Sequence, residues 1–271
     1  MNYSIASSTF SRAIAAEFFK IKRTPILWIS LVGGVFVCGL IFLLHLLNAD
    51  DFAKEGQNPW ILYFDVGFMI TSTILLVPYI VLTTSSLTHF EHQSSAWKYL
   101  YSLPQSKANV YFSKLLLAVL LVIGTYMIYF FTVWLSAYVV DWIQPVYGFR
   151  SYVPDKLDWL NRLTHSFLST LGIVGLHYWM SIRWKNFIIP VGIGLLGFVM
   201  AMICLMTQKY DYAAWIPYAY PGMIGAEMGV TGETVGFERI GWFYRIEIVS
   251  IISFAVFVLL GFWEEKRSNV K

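Results

Sequence analysis

Charge is what this chain of 271 residues has least of: 13% of its residues are Asp, Glu, Lys or Arg, while 58% are hydrophobic. Soluble domains carry about 25% charged residues, so an ordinary water-soluble fold is excluded. Cysteine is nearly absent as well. Cys38 and Cys204 each lie inside an apolar run with no partner at ligand spacing, which argues against a disulfide framework and a structural zinc site. Also missing is a glycine-rich loop followed by Lys and Ser or Thr, the cradle that nucleotide hydrolysis would need. The densest glycine cluster, Gly192-Ile193-Gly194-Leu195-Leu196-Gly197, lies within an apolar run without lysine, and close helix packing accounts for it.

What the chain does have is long apolar runs. Six are long enough to cross a hydrocarbon core of about 30 Å: 26–47, 61–88, 115–140, 163–182, 187–207 and 246–263. The expected fold is therefore all-α, a single polytopic transmembrane domain over 1–271. Pro78, near the middle of the second run, removes a backbone hydrogen bond and predicts a kink or tilt. Only Arg183-Trp184-Lys185-Asn186 separates the fourth and fifth runs, so those helices should form a tight antiparallel hairpin. The first 25 residues contain charges and no signal-peptide core, and are expected to stay in the mature protein. Within them, 13–22 has Ile14, Phe18 and Ile21 at helical spacing with basic residues near its C-terminal end, which suits a helix lying along the headgroup layer of the bilayer.

Charge distribution gives the orientation. With the N-terminus inside, the inner segments hold 12 of the 19 Lys and Arg residues but only 4 of the 16 acidic ones. Positive charge is retained on the cytoplasmic side, so both termini are expected there. The net charge of +3 points to no nucleic-acid partner.

Catalytic and metal-binding patterns are weak. Asp65 and His45 lie near outer span edges where they can meet water, and His165 and His177 are twelve residues apart on one run, too far to share a metal ion. His89-Phe90-Glu91-His92 has metal-ligand spacing but no third ligand nearby. No convergent nucleophile and base can be picked out, so the chain is not expected to be an enzyme and no cofactor or metal is expected in it.

The richest stretch is the inner connection, 89–114. Ala96, Tyr99, Leu100 and Leu103 recur at i, i+3, i+4 and i+7, which predicts a short amphipathic helix over 91–102 at the membrane surface. Pro104 stops it, and Gln105 or Ser106 can cap the next helix. Glu91, Trp97-Lys98, Leu103-Pro104, Ser106-Lys107 and Lys114 together resemble the cytoplasmic coupling segment of ABC-2-type transporter permeases, especially the branch tied to bacteriocin and lantibiotic self-immunity and bacitracin resistance. Glu17, Lys20 and Lys22-Arg23-Thr24 are similar to that family's surface helix, and the six-span layout with both ends inside is similar too.

That resemblance implies a permease subunit in a bacterial plasma (inner) membrane, paired with a second permease subunit, the same chain or a paralogue. ATP would sit on separate ABC ATPase subunits, which press on the coupling helix as they close. Export or expulsion of a hydrophobic or amphipathic compound, such as a peptide antibiotic, is the leading expectation; the rival is an ABC-2-like subunit that transmits force or assembles a complex without moving a substrate. The outer connection, 208–245, carries Trp215, Pro217, Tyr218 and Pro221 followed by several glycines, which favours turns at the membrane boundary. In similar permeases short helices dip back there and cap the exit path; a plain outer loop is the alternative.

The orientation is open to a direct test. An impermeant thiol reagent on intact cells should label cysteines placed at Asp51 and Glu233 and spare those placed at Ser94 and Asn269. Labelling at 94 without labelling at 51 would reverse it.

Overall fold

Residues 3–22, 24–52, 57–93, 106–229 and 236–267 are described by a computed structural model. Lipid offers backbone amides no water, so spanning segments must close their hydrogen bonds internally, and here they do so as helices. In chain order these are α1 (Tyr3–Ile21), α2 (Ile26–Leu47), α3 (Ala49–Phe52), α4 (Pro59–Ile70), α5 (Leu76–Gln93), α6 (Lys107–Ile143), α7 (Lys156–Arg183), α8 (Ile188–Met206), α9 (Tyr210–Ala213), α10 (Tyr220–Met228) and α11 (Arg245–Arg267). Among the described residues the strands are β1 (Arg239–Ile240) and β2 (Phe243–Tyr244), an antiparallel pair with Arg239 opposite Tyr244. The protein is an all-α polytopic membrane protein.

Among the described residues, five stretches are long and apolar enough to span a bilayer: Ile26–Leu47, Pro59–His89, Lys107–Ile143, Ile188–Met206 and Arg245–Arg267. The remaining expected span is α7. At 28 residues and about 1.5 Å per residue it is long enough, but it is too polar to qualify by hydropathy. His165, Ser166, Ser169, Thr170, His177 and Ser181 are all buried along it. A helix with that many polar groups cannot face lipid alone, and α5, α10 and α11 pack around it, α11 most extensively.

Two expected spans differ in detail. Between α4 and α5 lies a π-helical turn, Thr71–Leu75, in which the Leu76 N–H reaches back to the Thr71 carbonyl. Pro78 has no N–H to offer the Ile74 carbonyl and its ring crowds that oxygen, so the kink expected from Pro78 is taken up as a wider turn just ahead of it. The third span is 37 residues, starting at Lys107 instead of 115, because Ser106 caps it: its hydroxyl accepts from the Asn109 N–H at 3.2 Å. That length, about 55 Å, exceeds the hydrocarbon core and carries α6 well beyond it. The second span's helix also continues through Gln93, since no glycine or proline interrupts 88–93, so 91–93 extend α5 where a separate coupling helix was expected.

Glycine makes the central contact possible. A Cβ at Gly172 would lie 3.3 Å from the Ser250 Cα, and one at Gly175 would lie 3.0 Å from the Phe254 Cα, so α7 and α11 touch backbone to backbone. Close approach also lets the Ser250 hydroxyl accept from the Gly172 N–H at 2.8 Å while donating to the Ser169 carbonyl at 2.9 Å. Gly175→Leu should therefore destabilise the protein by about 1–3 kcal/mol, seen as a lower thermal midpoint in detergent. Gly192→Leu, whose Cβ meets nothing within 4 Å, should leave the midpoint unchanged. Equal midpoints for both would remove the case for this packing.

Candidate functional site

Polar side chains gather at the two ends of the bundle and along α7 between them. Helix α1 and the last turn of α11 share one end. Glu17 of α1 is 5% exposed, and its carboxylate accepts from Lys114 Nζ of α6 at 3.0 Å and from Lys20 Nζ at 2.6 Å. Lys114 is itself 1% exposed. The buried face of α1 is Ala13, Glu17 and Ile21, one residue per turn, whereas Phe18 and Phe19 point outward. This corrects the expected face of Ile14, Phe18 and Ile21: the carboxylate goes inward because Lys114 awaits it, and the phenylalanines take the apolar surroundings. Close by, Lys107 Nζ donates to the Glu265 carbonyl at 3.3 Å, and Glu264 accepts from Trp179 Nε1 at 3.1 Å and pairs with Arg183. Helices α1, α6, α7 and α11 are thus joined in one polar collar at this end.

Several expected site residues fall in or beside this collar. Glu17 and Lys20 are in it, and Lys22 lies over the Phe19 ring at 5.1 Å. Ser106 caps α6, and Lys107 binds α11. Glu91 belongs to the last turn of α5. Arg23, Trp97, Lys98, Pro104 and the Glu91 side chain lie outside the described residues.

The opposite end has a second network. Arg162 of α7 pairs with Asp65 of α4 at 2.8 Å and Asp158 at 2.6 Å, and it also donates to the Met228 carbonyl at the end of α10. Asp65 was expected to reach water near a span edge; it is 5% exposed, and Arg162 takes the place of solvent. Nearby, His165 Nδ1 donates to Glu247 Oε1 at 2.8 Å, with both residues buried, and Glu247 Oε2 accepts the Tyr244 N–H at 2.9 Å. Reading the sequence missed Glu247, because it opens an apolar run and looked like an outer-loop acid. Asp141 accepts the Phe149 N–H at 2.8 Å, which ties the far end of α6 to the following loop. His45 is buried too, held by the Ile41 carbonyl at 2.9 Å and packed among Phe52, Tyr63 and Tyr147.

The expected outer-cap residues divide. Trp215 is 86% exposed, whereas Tyr218 and Pro221 are buried and Pro217 is half-buried. Tyr218 is hydrogen-bonded to His177 Nε2 at 3.0 Å and packs on Gly197, where a Cβ would sit 2.4 Å from its ring. Helix α10 folds back into the bundle against the π turn: a Cβ at Gly225 would lie 3.0 Å from the Ser72 Cβ. Ser72 lies 3.5 Å from Ser166, which is bonded to Tyr126 at 2.9 Å, so a polar seam continues from the far end into the middle of α7. Among the described residues no three His, Cys, Asp or Glu side chains converge as a metal site would require. The arrangement is suited to holding helices in register at two ends, and hence to moving them together.

Residues 13–201 match the family model described as ABC-2 family transporter protein, well over half of the chain. No curated protein and no solved structure matches it. The matched residues include Glu17, Lys114, Asp65 and Arg162 and stop short of Trp215, Pro217, Tyr218 and Pro221.

The far-end network makes a stability prediction. Arg162→Met leaves the Asp65 carboxylate buried without its cation, which should cost about 3–5 kcal/mol, while Asp65→Asn with Arg162→Met should recover much of that loss. Thermal unfolding in detergent measures both. An unshifted midpoint for Arg162→Met would show that the network bears no structural weight.

Proposed function

The chain belongs to the ABC-2 family of transporter proteins, and on that premise we propose that it is a permease subunit that exports a hydrophobic or amphipathic compound of the peptide-antibiotic kind. ATP is hydrolysed on separate ABC ATPase subunits, and a second permease subunit, identical or paralogous, completes the membrane portion. The end carrying both termini faces the cytoplasm of a bacterial plasma membrane, in keeping with its share of Lys and Arg. There α1 lies along the membrane surface, with Phe18 and Phe19 turned to lipid.

The observation that carries this reading is the buried Glu17–Lys114 pair. Connection 94–105 joins the end of α5 to the capped start of α6, the place where an ATPase would press. A push there acts on a helix of 37 residues, bound at its base to α1 through Glu17 and to α11 through Glu265. Those three helices then tilt as one body. At the far end α6 holds the 145–151 loop through Asp141, and α7 holds α4 and α10 through Arg162, so the tilt is delivered to the outer cap.

Coupling, in this account, depends on the pair staying closed. Lys114→Met leaves Glu17 buried with its main partner gone, and should lower substrate-stimulated ATP hydrolysis in the reconstituted complex about tenfold or more while the ATPase still copurifies. Glu17→Gln with Lys114→Met should fold normally yet stay uncoupled, separating stability from transmission. Glu91→Lys, and Pro104→Ala combined with Trp97→Ala, should behave like Lys114→Met, with membrane insertion intact. Wild-type hydrolysis across the whole series would remove the coupling role. Hydrolysis and copurification without peptide movement would favour the force-transmitting subunit.

A further inference from the structure

Where α8 leaves the membrane there is a cleft of about 880 Å³, lined by the first residues after that helix, by Phe237 and Glu238, and by the start of α11. It lies in 208–246, beyond the residues that match the transporter family. Its size is that of a small-molecule site. Its floor includes Met223 of the buried helix α10 and Ile246. One wall is closed by Tyr210 against Phe237, ring centroids 5.5 Å apart, and another by Arg245, which is engaged with Glu238 at 2.9 Å.

The remaining charges in the lining are unmatched. Arg245 and Glu238 satisfy each other, but the Lys209 ammonium and the Asp211 carboxylate have no hydrogen-bonding or ionic partner among the described residues. Between and beside them stand the open faces of Tyr212, 68% exposed, and Trp215, 86% exposed. Gln208, a non-glycine residue with positive φ at 55°, closes the C-terminal end of α8 in a left-handed turn that returns the Lys209 N–H to the Cys204 carbonyl at 2.9 Å, and the residues that follow it line the cleft.

A cation and an anion set apart on an aromatic rim match a ligand that carries a phosphate and an ammonium together: Lys209 for the phosphate, Asp211 and the ring faces for the ammonium. The adjoining surface of α8 says where such a group would come from. Leu196, Val199, Ile203 and Met206 are 69%, 52%, 57% and 78% exposed and line up along one side of the helix, leading to the mouth of the cleft. That stripe rises about 15 Å, the reach of an acyl chain in one leaflet. We infer that the cleft is a binding site for a zwitterionic phospholipid of the leaflet at that end of the bundle, its headgroup between Lys209 and Asp211 and its acyl chains along the α8 stripe. Met223 in the floor of the cleft belongs to α10, the same helix that Arg162 ties to α4. This assignment stands apart from the transport reading and survives or fails without it.

The test uses the purified full chain in nanodiscs made from equal parts of phosphatidylcholine, phosphatidylethanolamine and phosphatidylglycerol, with native mass spectrometry counting the lipids that remain bound. The wild type should retain a zwitterionic lipid in preference to phosphatidylglycerol. Lys209→Ala with Trp215→Ala should weaken that retention about tenfold, the scale of one lost charge-assisted hydrogen bond, and Lys209→Arg should restore it. Asp211→Lys should turn the preference toward phosphatidylglycerol. All three positions are exposed, so circular dichroism should show unchanged helix content in each variant. Soluble phosphoethanolamine at millimolar concentration should leave the lipid in place. Unselective retention, identical behaviour of the variants, or displacement by phosphoethanolamine would overturn the assignment, as would cross-linking of Leu196 and Ile203 to a second copy of the chain in place of lipid.

Discussion

A helix that must cross a bilayer while carrying His165, Ser166, Ser169, Thr170, His177 and Ser181 has one option, which is to hide that face against other helices. Each of these groups, left unsatisfied in hydrocarbon, would cost several kcal/mol. The rest of the bundle follows from this requirement. Helix α11 comes close enough for Glu247 and Ser250 to answer His165 and the 169–172 backbone, and Gly172 and Gly175 are what let it come. Ser85 of α5 meets Ser181, and Tyr218 of the outer segment meets His177. The apolar helices are then left to present Leu, Ile, Val and Phe outward, as α2 and α8 do.

Two charge pairs close the ends of this arrangement, and each joins helices remote in sequence: Glu17 to Lys114, and Asp65 to Arg162. Buried pairs of this kind contribute little net stability, because desolvation offsets most of the attraction, but opening one is expensive. Their effect is on geometry. They tie α1 to α6 and α4 to α7.

The segment that follows α8 completes the same logic. Helix α10 is short, buried and laid against the π turn of the second span, with Gly222 and Gly225 allowing the approach. Irregular backbone at such a place is tolerated because protein, not lipid, surrounds it. Since Met223 of α10 floors the cleft and the Met228 carbonyl binds Arg162, one short helix links the cleft to the central helix.

The sequence alone determined the architecture: apolar runs of spanning length, the connections between them, the break near Pro78 and a cap at Gln105 or Ser106 are local properties, because chain length, missing N–H groups and capping hydroxyls act within a few residues. Even the polar character of α7 could be read residue by residue. What the tertiary structure decided is which face of each helix meets which neighbour. Hydropathy averages around a helix, so it could not show that Glu17 faces inward while Phe18 and Phe19 face out, or that Glu247, at the mouth of an apolar run, is fully buried. Arg162 lies 97 residues from Asp65, and Lys114 lies 97 residues from Glu17. Coulomb attraction and hydrogen bonding depend on separation in space, and no spacing along the chain encodes it until the helices are packed.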